Sequence, residues 1–434
     1  MKKLKWFFLI LFVSSVLLGI NLFVRLNNYA ATVNYSREHN LPIMRITLNG
    51  VTLEEIENHS KDIKYEGNYL ELTEKGMTTS FSEVEIKGRG NSSWSGNKKP
   101  FQIKFDHKVD LLGLGPRKKY ILLANHFDYT AIRNSMMFKL ADMIDEKYRP
   151  KGEFVELDID GSYRGLYYLT TKVEIAKGSV DLRDEYGILV EIDTLHASNE
   201  NCLSSFTAEC LIVEDAVFED DEVKLKEATD DFVKDFKRLL TAAKEGDYQK
   251  VNQLIDLHSF AEYFLISEFA VNPDAYISSF NFYKDGKDDK IHAGPLWDYD
   301  LAFGNRNWVW NTTDDFFSPT ETMVQREEAY MDDLAKSDQR KLMYYLIDIP
   351  EFRIEVEKIY RDKLSGRRDE FLLWMFNEAA TVRKAAERNM DRWGRDVNKF
   401  YDDVLYTFDW VKQRFDYFEE EYGEKEWIFT PGVV

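Results

Sequence analysis

An Asp285-Gly286 dipeptide between two apolar runs, Phe280–Lys284 and Lys290–Leu296, constrains this chain more than any other feature. Asp-Gly accepts the positive φ angles of a tight turn, so alternating apolar residues on either side predict a β-hairpin. Just before it stands Asn272-Pro-Asp274-Ala-Tyr-Ile-Ser-Ser-Phe-Asn281, and at its far end Gly294-Pro-Leu-Trp-Asp298-Tyr-Asp300. Folding the hairpin back brings Asp298 level with the run before the first strand. Asp274, Asn281 and Asp298 are therefore expected at one cleft mouth, with Asp300 two residues further on.

The rest of the chain divides into a strand-rich first half and a helical second half. Leu41–Leu48, Phe81–Lys87, Pro100–Phe105 and Tyr120–Ala124 read as strands, Phe154–Ile159 with Tyr163–Thr170 as a second hairpin, and Gly187–Ile192 as a further strand. Ile132, Met136, Leu140 and Ile144 recur at four-residue spacing and predict a helix opened by Asp128-Tyr-Thr130. Helical patterns follow at Phe232–Ala243, Val251–Ile255 and His258–Val271, and again from about 325 to 423. The segregation of strands and helices predicts an α+β fold of two lobes with a helical C-terminal extension. The expected divisions are a strand-rich lobe over 41–215, a helical lobe carrying the hairpin over 216–310, and a helical region over 311–434.

At 434 residues with 44% hydrophobic and 15% aromatic content, the chain has ample material for a packed core. Its net charge of −20 argues against nucleic acid as a partner, because a phosphate backbone is repelled. Trp6–Val24 is an uncharged run long enough to span a bilayer. Lys2, Lys3 and Lys5 precede it and only Arg25 follows closely, which places residues 1–5 in the cytoplasm under the positive-inside rule. A cleaved signal peptide fits less well, since the run is long and Asn28-Tyr-Ala30 is a poor cleavage site. The expectation is a single-pass protein of the cell membrane, with an anchor at 6–24, a linker at 25–40 and everything beyond extracytoplasmic. The two cysteines, Cys202 and Cys210, are close enough in sequence to close a small loop in an oxidising setting or to remain thiols.

Lys87-Gly-Arg89-Gly90-Asn91-Ser92-Ser93-Trp94, followed by Lys98-Lys99-Pro100 and Lys104, resembles the CotH family of spore-coat and surface proteins, a kinase-like group. Further stretches match in order. They are Leu122-Leu-Ala-Asn125 with Asp128, Thr130, Arg133 and Asn134; Gly161-x-Tyr163-x-Gly165-x-Tyr167; Gly187-Ile-Leu-Val-Glu191; Asn272 with Asp274; and Gly294 to Asn305. The resemblance covers about residues 41–305. It implies an atypical protein-kinase-like fold and ATP-dependent transfer, with Mg2+, to serine or threonine hydroxyls of surface or coat proteins.

Phosphoryl transfer asks a protein mainly to position groups and neutralise charge. On that chemistry Asp274 is the candidate base for the attacking hydroxyl. Asp298 is the candidate metal ligand, with Asn281 as the second metal contact and Asp300 sharing the ion. Asn281 lies seven residues beyond Asp274, where the usual kinase pattern has five. Arg89, Asn91 and Ser92, on a glycine-containing turn, are candidates for cradling nucleotide phosphates through backbone N–H groups and the guanidinium. Lys104 lies on the strand face opposite Phe101, Ile103 and Phe105, where a phosphate-binding lysine would stand. The helix after Asp128 offers no internal glutamate to pair with it; Glu174 and Glu191 are the substitutes. Each of these residues also has an ordinary structural use, as a turn aspartate, a strand-end amide or a solvated lysine.

Two other classes of function remain open from sequence. A non-catalytic surface-binding or envelope-assembly protein would keep the fold without needing the Asp274, Asn281 and Asp298 set. Hydrolysis assisted by Asp298 and Asp300 lacks a supporting nucleophile-plus-histidine pairing, the seven histidines being scattered.

Overall fold

The computed structural model describes residues 41–192, 211–218, 221–276, 278–305, 312–316 and 342–423. The expected membrane segment at 6–24, the linker and the Cys202/Cys210 pair lie outside the described residues. No helix among the described residues is long and apolar enough to cross a membrane.

The architecture is mixed α+β. Strands β1 (Ile43–Thr47), β2 (Lys64–Glu74), β3 (Met77–Gly88), β4 (Phe101–Asp110), β5 (Pro116–Leu123), β6 (Gly152–Ile159) and β7 (Ser162–Thr171) close into a barrel in the order β1-β2-β3-β4-β5-β7-β6. The closing pair, β1 with β6, is parallel, and the remaining pairs are antiparallel. Helix α1 (Leu53–Asn58) follows β1 and opens on a Thr52/Glu55 capping box. Helix α2 (Arg133–Met143) is inserted between β5 and β6. Met44, Ile46, Val84, Ile86, Phe101, Ile103, Tyr120 and Leu169 alternate inward and fill the barrel, as the period of two along a strand requires.

The strand β2 has no counterpart in the sequence expectations. Its KYEGNYLELTE run is polar on one face and broken by a bulge near Asn68. The fully buried Asn68 side chain stands in for the missing ladder bonds. Its Nδ2 donates to the carbonyls of Tyr65 (2.7 Å) and Val84 (2.8 Å), and its Oδ1 accepts from Asn49 N–H (3.0 Å).

A second sheet, ordered β11-β10-β8-β9, is built from β8 (Gly187–Ile192), β9 (Leu211–Ala216), β10 (Phe280–Asp285) and β11 (His292–Ala293). The expected hairpin is present, with Phe282 opposite Ala293 and Tyr283 opposite His292, and Gly286 at φ +104° in the turn. Its second strand is shorter than expected. Pro295 has no N–H to continue a ladder, and the chain leaves the sheet at Gly294, also at φ +104°.

Helices α3 (Glu222–Lys244), α4 (Tyr248–Leu254), α5 (Leu257–Ala270), α6 (Leu342–Ile347), α7 (Pro350–Lys363), α8 (Arg368–Arg392) and α9 (Asn398–Tyr422) complete the described fold. Strand β7 joins the two halves because both its faces are buried. Tyr167 and Leu169 face the barrel, while Leu166 and Tyr168 enter the core shared by α2, α5, α8 and the second sheet. The Tyr168 ring lies 5.6 Å from that of Phe138 of α2, tilted by 51°. That two-sided burial explains why the Tyr163–Thr170 run is nearly continuous in apolar residues.

Candidate active site

Helix α5 is apolar on every face, and eleven of its residues, Phe260 to Ala270, are buried. It ends where Val271 adopts a left-handed φ of +49°. The last carbonyls of such a buried helix need partners, and Arg414 of α9 supplies them. Its Nη2 donates to Glu268 O (2.6 Å) and its Nε to Phe269 O (3.2 Å). Immediately beyond, Asn272 Oδ1 accepts from Asp274 N–H (3.2 Å), an Asx turn that sets the direction in which Asp274 leaves the helix.

The Asp298 loop is held from the other side of the molecule. Asn134 of α2 accepts the Tyr299 N–H on Oδ1 at 2.9 Å, and Arg133 donates Nε to Ala302 O at 3.0 Å. Arg133 is fully buried. It is ion-paired with buried Asp128 and donates Nη2 to Thr407 of α9 at 2.8 Å. Asp128 Oδ2 also accepts from Arg133 N–H at 2.9 Å, and the helix begins at Arg133, five residues after the Asp128 expected to open it. Asn305 donates to the carbonyls of Asp300 (2.6 Å) and Phe127 (3.0 Å). Tyr299 Oη meets Ser267 Oγ of α5 at 2.9 Å, and Phe303 N–H donates to Ala270 O at 2.7 Å. These bonds hold Asp298 and Phe303 at φ of +64° and +50°, conformations that side chains other than glycine's rarely adopt.

The two aspartate segments meet at Asp300. Burial, followed by the charges of Asp298, Asp128 and Asp274, holds the Asp300 carboxyl well above the usual carboxylate range, with Arg133 opposing. Asp274 and Asp298 thus both act on the Asp300 carboxyl. Asn281 is in register with Glu191 on the neighbouring strand. Its Nδ2 donates to Pro295 O at 3.1 Å, so part of this side chain anchors the chain just before Asp298.

Across the cleft, Arg89 reaches the same loop from the end of β3. Its guanidinium lies 5.1 Å from the Trp297 ring. Burial lowers its pKa against the attraction of Asp298, Glu214 and Glu191. Its Nη1 is buried with no hydrogen-bond partner in the structure, a costly state for a charged donor.

The other expected nucleotide contacts, Asn91, Ser92 and Lys104, lie on β4 and on the turn before it. Asn91 Oδ1 accepts from Lys61, and Ser92 is exposed at the start of a short 3-10 turn, Ser92–Ser95. Lys104 pairs with Glu85, its cross-strand neighbour on β3, at 3.7 Å. Glu174 pairs with Lys119 at 3.3 Å, and the Glu191 charge acts on Arg89. A further lysine, Lys87, lies beside Arg89 at the end of β3. It heads the outer-face ladder Lys87, Gln102, Ile121, Thr170 that runs in register across β3, β4, β5 and β7. Burial lowers the Lys87 pKa, Asp62 opposes, and Lys172, Lys64 and Arg89 lower it further. Only its position two residues before Arg89, on the same strand face, pointed to it in sequence.

Among the described residues, no group of three or more His, Cys, Asp or Glu side chains is assembled to hold a metal by itself. Magnesium is commonly bound by one or two carboxylates together with waters and substrate phosphates. Asp298 and Asp300 offer the hard oxygen donors that such an ion takes.

The family described as CotH kinase protein matches residues 86–418, from the end of β3 to the last turns of α9. The chain belongs to the CotH kinase family. The match encloses Lys87, Arg89, Asp128, Arg133, Asn134, Asp274, Asp298, Asp300 and Arg414, so helix α9 lies inside the family's region along with the cleft. No protein of curated function matches the chain.

Proposed function

We propose that this CotH family member is a kinase that transfers the γ-phosphoryl group of ATP, with Mg2+, to serine or threonine hydroxyls of surface or coat proteins. We propose further that it does so from a membrane anchor at residues 6–24, with the folded part extracytoplasmic. The observation that carries the first reading is that the Asp298 charge acts both on Arg89 of the barrel and on the Asp300 carboxyl of the helical half, which also feels Asp274.

In this reading Asp298 and Asp300 hold the ion, which supplies charge neutralisation at the transferring phosphoryl group. Arg89 offers its unpaired N–H to a phosphate oxygen, and Lys87 adds positive charge from the same strand. Asp274 orients the acceptor hydroxyl and takes its proton. Asn281 keeps the Pro295 to Asp298 chain in place. Trp297 and the Arg89 side chain shield the reacting centre from water, which strengthens every electrostatic interaction inside it.

The test is incubation of the purified protein with γ-labelled ATP, a divalent cation and generic serine and threonine acceptors. Label transfer that disappears in Asp298→Asn and Asp274→Asn is the expected result. Absence of nucleotide binding and of transfer, with Asp298→Asn indistinguishable from the parent, would establish a non-catalytic surface-binding protein on the same fold.

A further inference from the structure

A cluster of cations lies beside the Asp300 loop, in a chain whose net charge is −20. Arg395, in the turn between α8 and α9, donates to His126 O at 3.0 Å and approaches His126 Nδ1 at 3.3 Å. Arg395 and Lys399 both sit over the Tyr129 ring at 5.2 Å. Lys99 lies over Trp94 at 4.8 Å, and Arg392 over Trp393 at 4.6 Å. Burial, then the charges of Arg395, Lys98 and Lys99, hold the His126 imidazole down to about 4, so it is neutral among cations and can accept from Arg395 on Nδ1.

What distinguishes this cluster is how its charges are held. Among the described residues Lys99, Arg392, Arg395 and Lys399 form no ion pair. Aromatic faces and backbone carbonyls position them, and these fix a cation without neutralising it. Nearby acids do not cancel the set: Asp396 Oδ1 accepts from the N–H groups of Asn398, and Asp403 faces Arg133 as well as Lys399. Unneutralised like charges on one wall raise the local concentration of anions.

The cluster is joined directly to the candidate catalytic loop. Asn305 binds both Phe127 O and Asp300 O, so the His126-Phe127 segment and the Asp300 segment share one bridging amide. Phe127 is itself exposed at 38%.

We infer that the face formed by Lys99, His126, Phe127, Arg392, Arg395 and Lys399 is the docking site for the protein acceptor, selecting segments whose residues flanking the serine or threonine are acidic or already phosphorylated. This rests on the kinase reading for the acceptor's role but not for the binding of the segment. The acid groups lie along the cationic turn while the hydroxyl enters beside Asp300, and Phe127 offers an apolar contact between the two.

The experiment uses the purified full chain and three fluorescent peptides, each with a central serine flanked by glutamates, alanines or lysines. Anisotropy gives affinity and label transfer gives kcat/KM. The expected result is a preference for the glutamate peptide of roughly fivefold to tenfold in both, lost in Lys399→Glu and in Arg395→Gln. Lys399 is exposed and fold-neutral, which covers the case in which Arg395→Gln disturbs the His126 turn. The ratio between peptides is the readout, so a general loss of rate does not imitate the effect. Glutamate-peptide binding that Asp298→Asn retains, with no transfer by any protein, would sustain the docking face and refute the kinase. Transfer to all three peptides at similar kcat/KM would sustain the kinase and overturn the docking face. Displacement of the glutamate peptide by inorganic phosphate or single-stranded RNA at comparable concentration would overturn the assignment to an acidic peptide.

Discussion

Asn134 Oδ1 accepts the backbone N–H of Tyr299 at 2.9 Å, so the residue between Asp298 and Asp300 is held by a helix 165 positions away. Because Asn134 also donates to Asn125 Oδ1 at 3.2 Å, its amide is oriented before the loop arrives. The geometry of the two carboxylates is therefore a property of the α2 N-terminus as much as of their own segment.

Replacing Asn134 by alanine leaves the Tyr299 N–H buried without an acceptor. The expected destabilisation is about 1–3 kcal/mol, read from the denaturant midpoint. Transfer activity falls further than stability does, on the order of a hundredfold in kcat, because a small displacement of catalytic groups is costly. A variant that transfers as fast as the parent would mean that the loop keeps its shape without α2.

Asp298→Asn removes a negative charge beside Asp300, whose carboxyl is already forced upward by its neighbours. In divalent-free buffer the variant is expected to melt at the same temperature as the parent or higher, since like-charge repulsion is relieved. Nucleotide with magnesium then raises the melting temperature of the parent and leaves that of the variant unchanged. Loss of stability in the variant before any ligand is added would contradict the repulsion seen at Asp300.

Lys87 and Lys104 can be separated by kinetics. Lys87→Ala is expected to raise KM for ATP and lower kcat, because its charge stands beside that of Arg89. Lys104→Ala breaks a partly exposed pair with Glu85, an interaction of about 0–1 kcal/mol, and leaves ATP kinetics close to those of the parent. A reversed order of the two effects would return the phosphate-binding role to Lys104.

Glu146 gives a pH prediction. Burial raises its carboxyl to about 8, the Leu296 N–H it accepts at 2.8 Å and Arg149 oppose, and Glu262 adds to the rise. The folded protein thus keeps a proton that the unfolded chain releases near 4.5. Stability is full below that value, falls as pH rises between about 4.5 and 8, and levels off above. Glu146→Gln keeps the acceptor for Leu296 and removes this slope, so it matches the parent at pH 4 and exceeds it by a few kcal/mol at pH 8. Parallel stability curves for the two proteins would show that Glu146 is ionised in the fold.

The β10–β11 hairpin, the strand Gly187–Ile192 and the buried helix over Leu257–Ala270 were legible from alternation, turn chemistry and apolar runs. So was the approach of Asp274 to Asp298, because a two-stranded turn leaves little freedom in where its ends lie. These are short-range consequences of residue type. The barrel's closure through β1 and β6, and the grip of Arg133 on Ala302 and Thr407, join residues far apart in sequence. Arg414 likewise ends α5 from a helix 145 positions downstream. Such partners leave no periodic trace, because a buried arginine donating to carbonyls reads in sequence like any charged helix residue. The surroundings of the two lysines were set in the same way, with Glu85 standing opposite Lys104 and Arg89 beside Lys87. Local pattern determined which elements form and which carboxylates meet; only tertiary packing decided what holds them there, since the enclosed backbone groups of a buried loop must find partners wherever the fold supplies them.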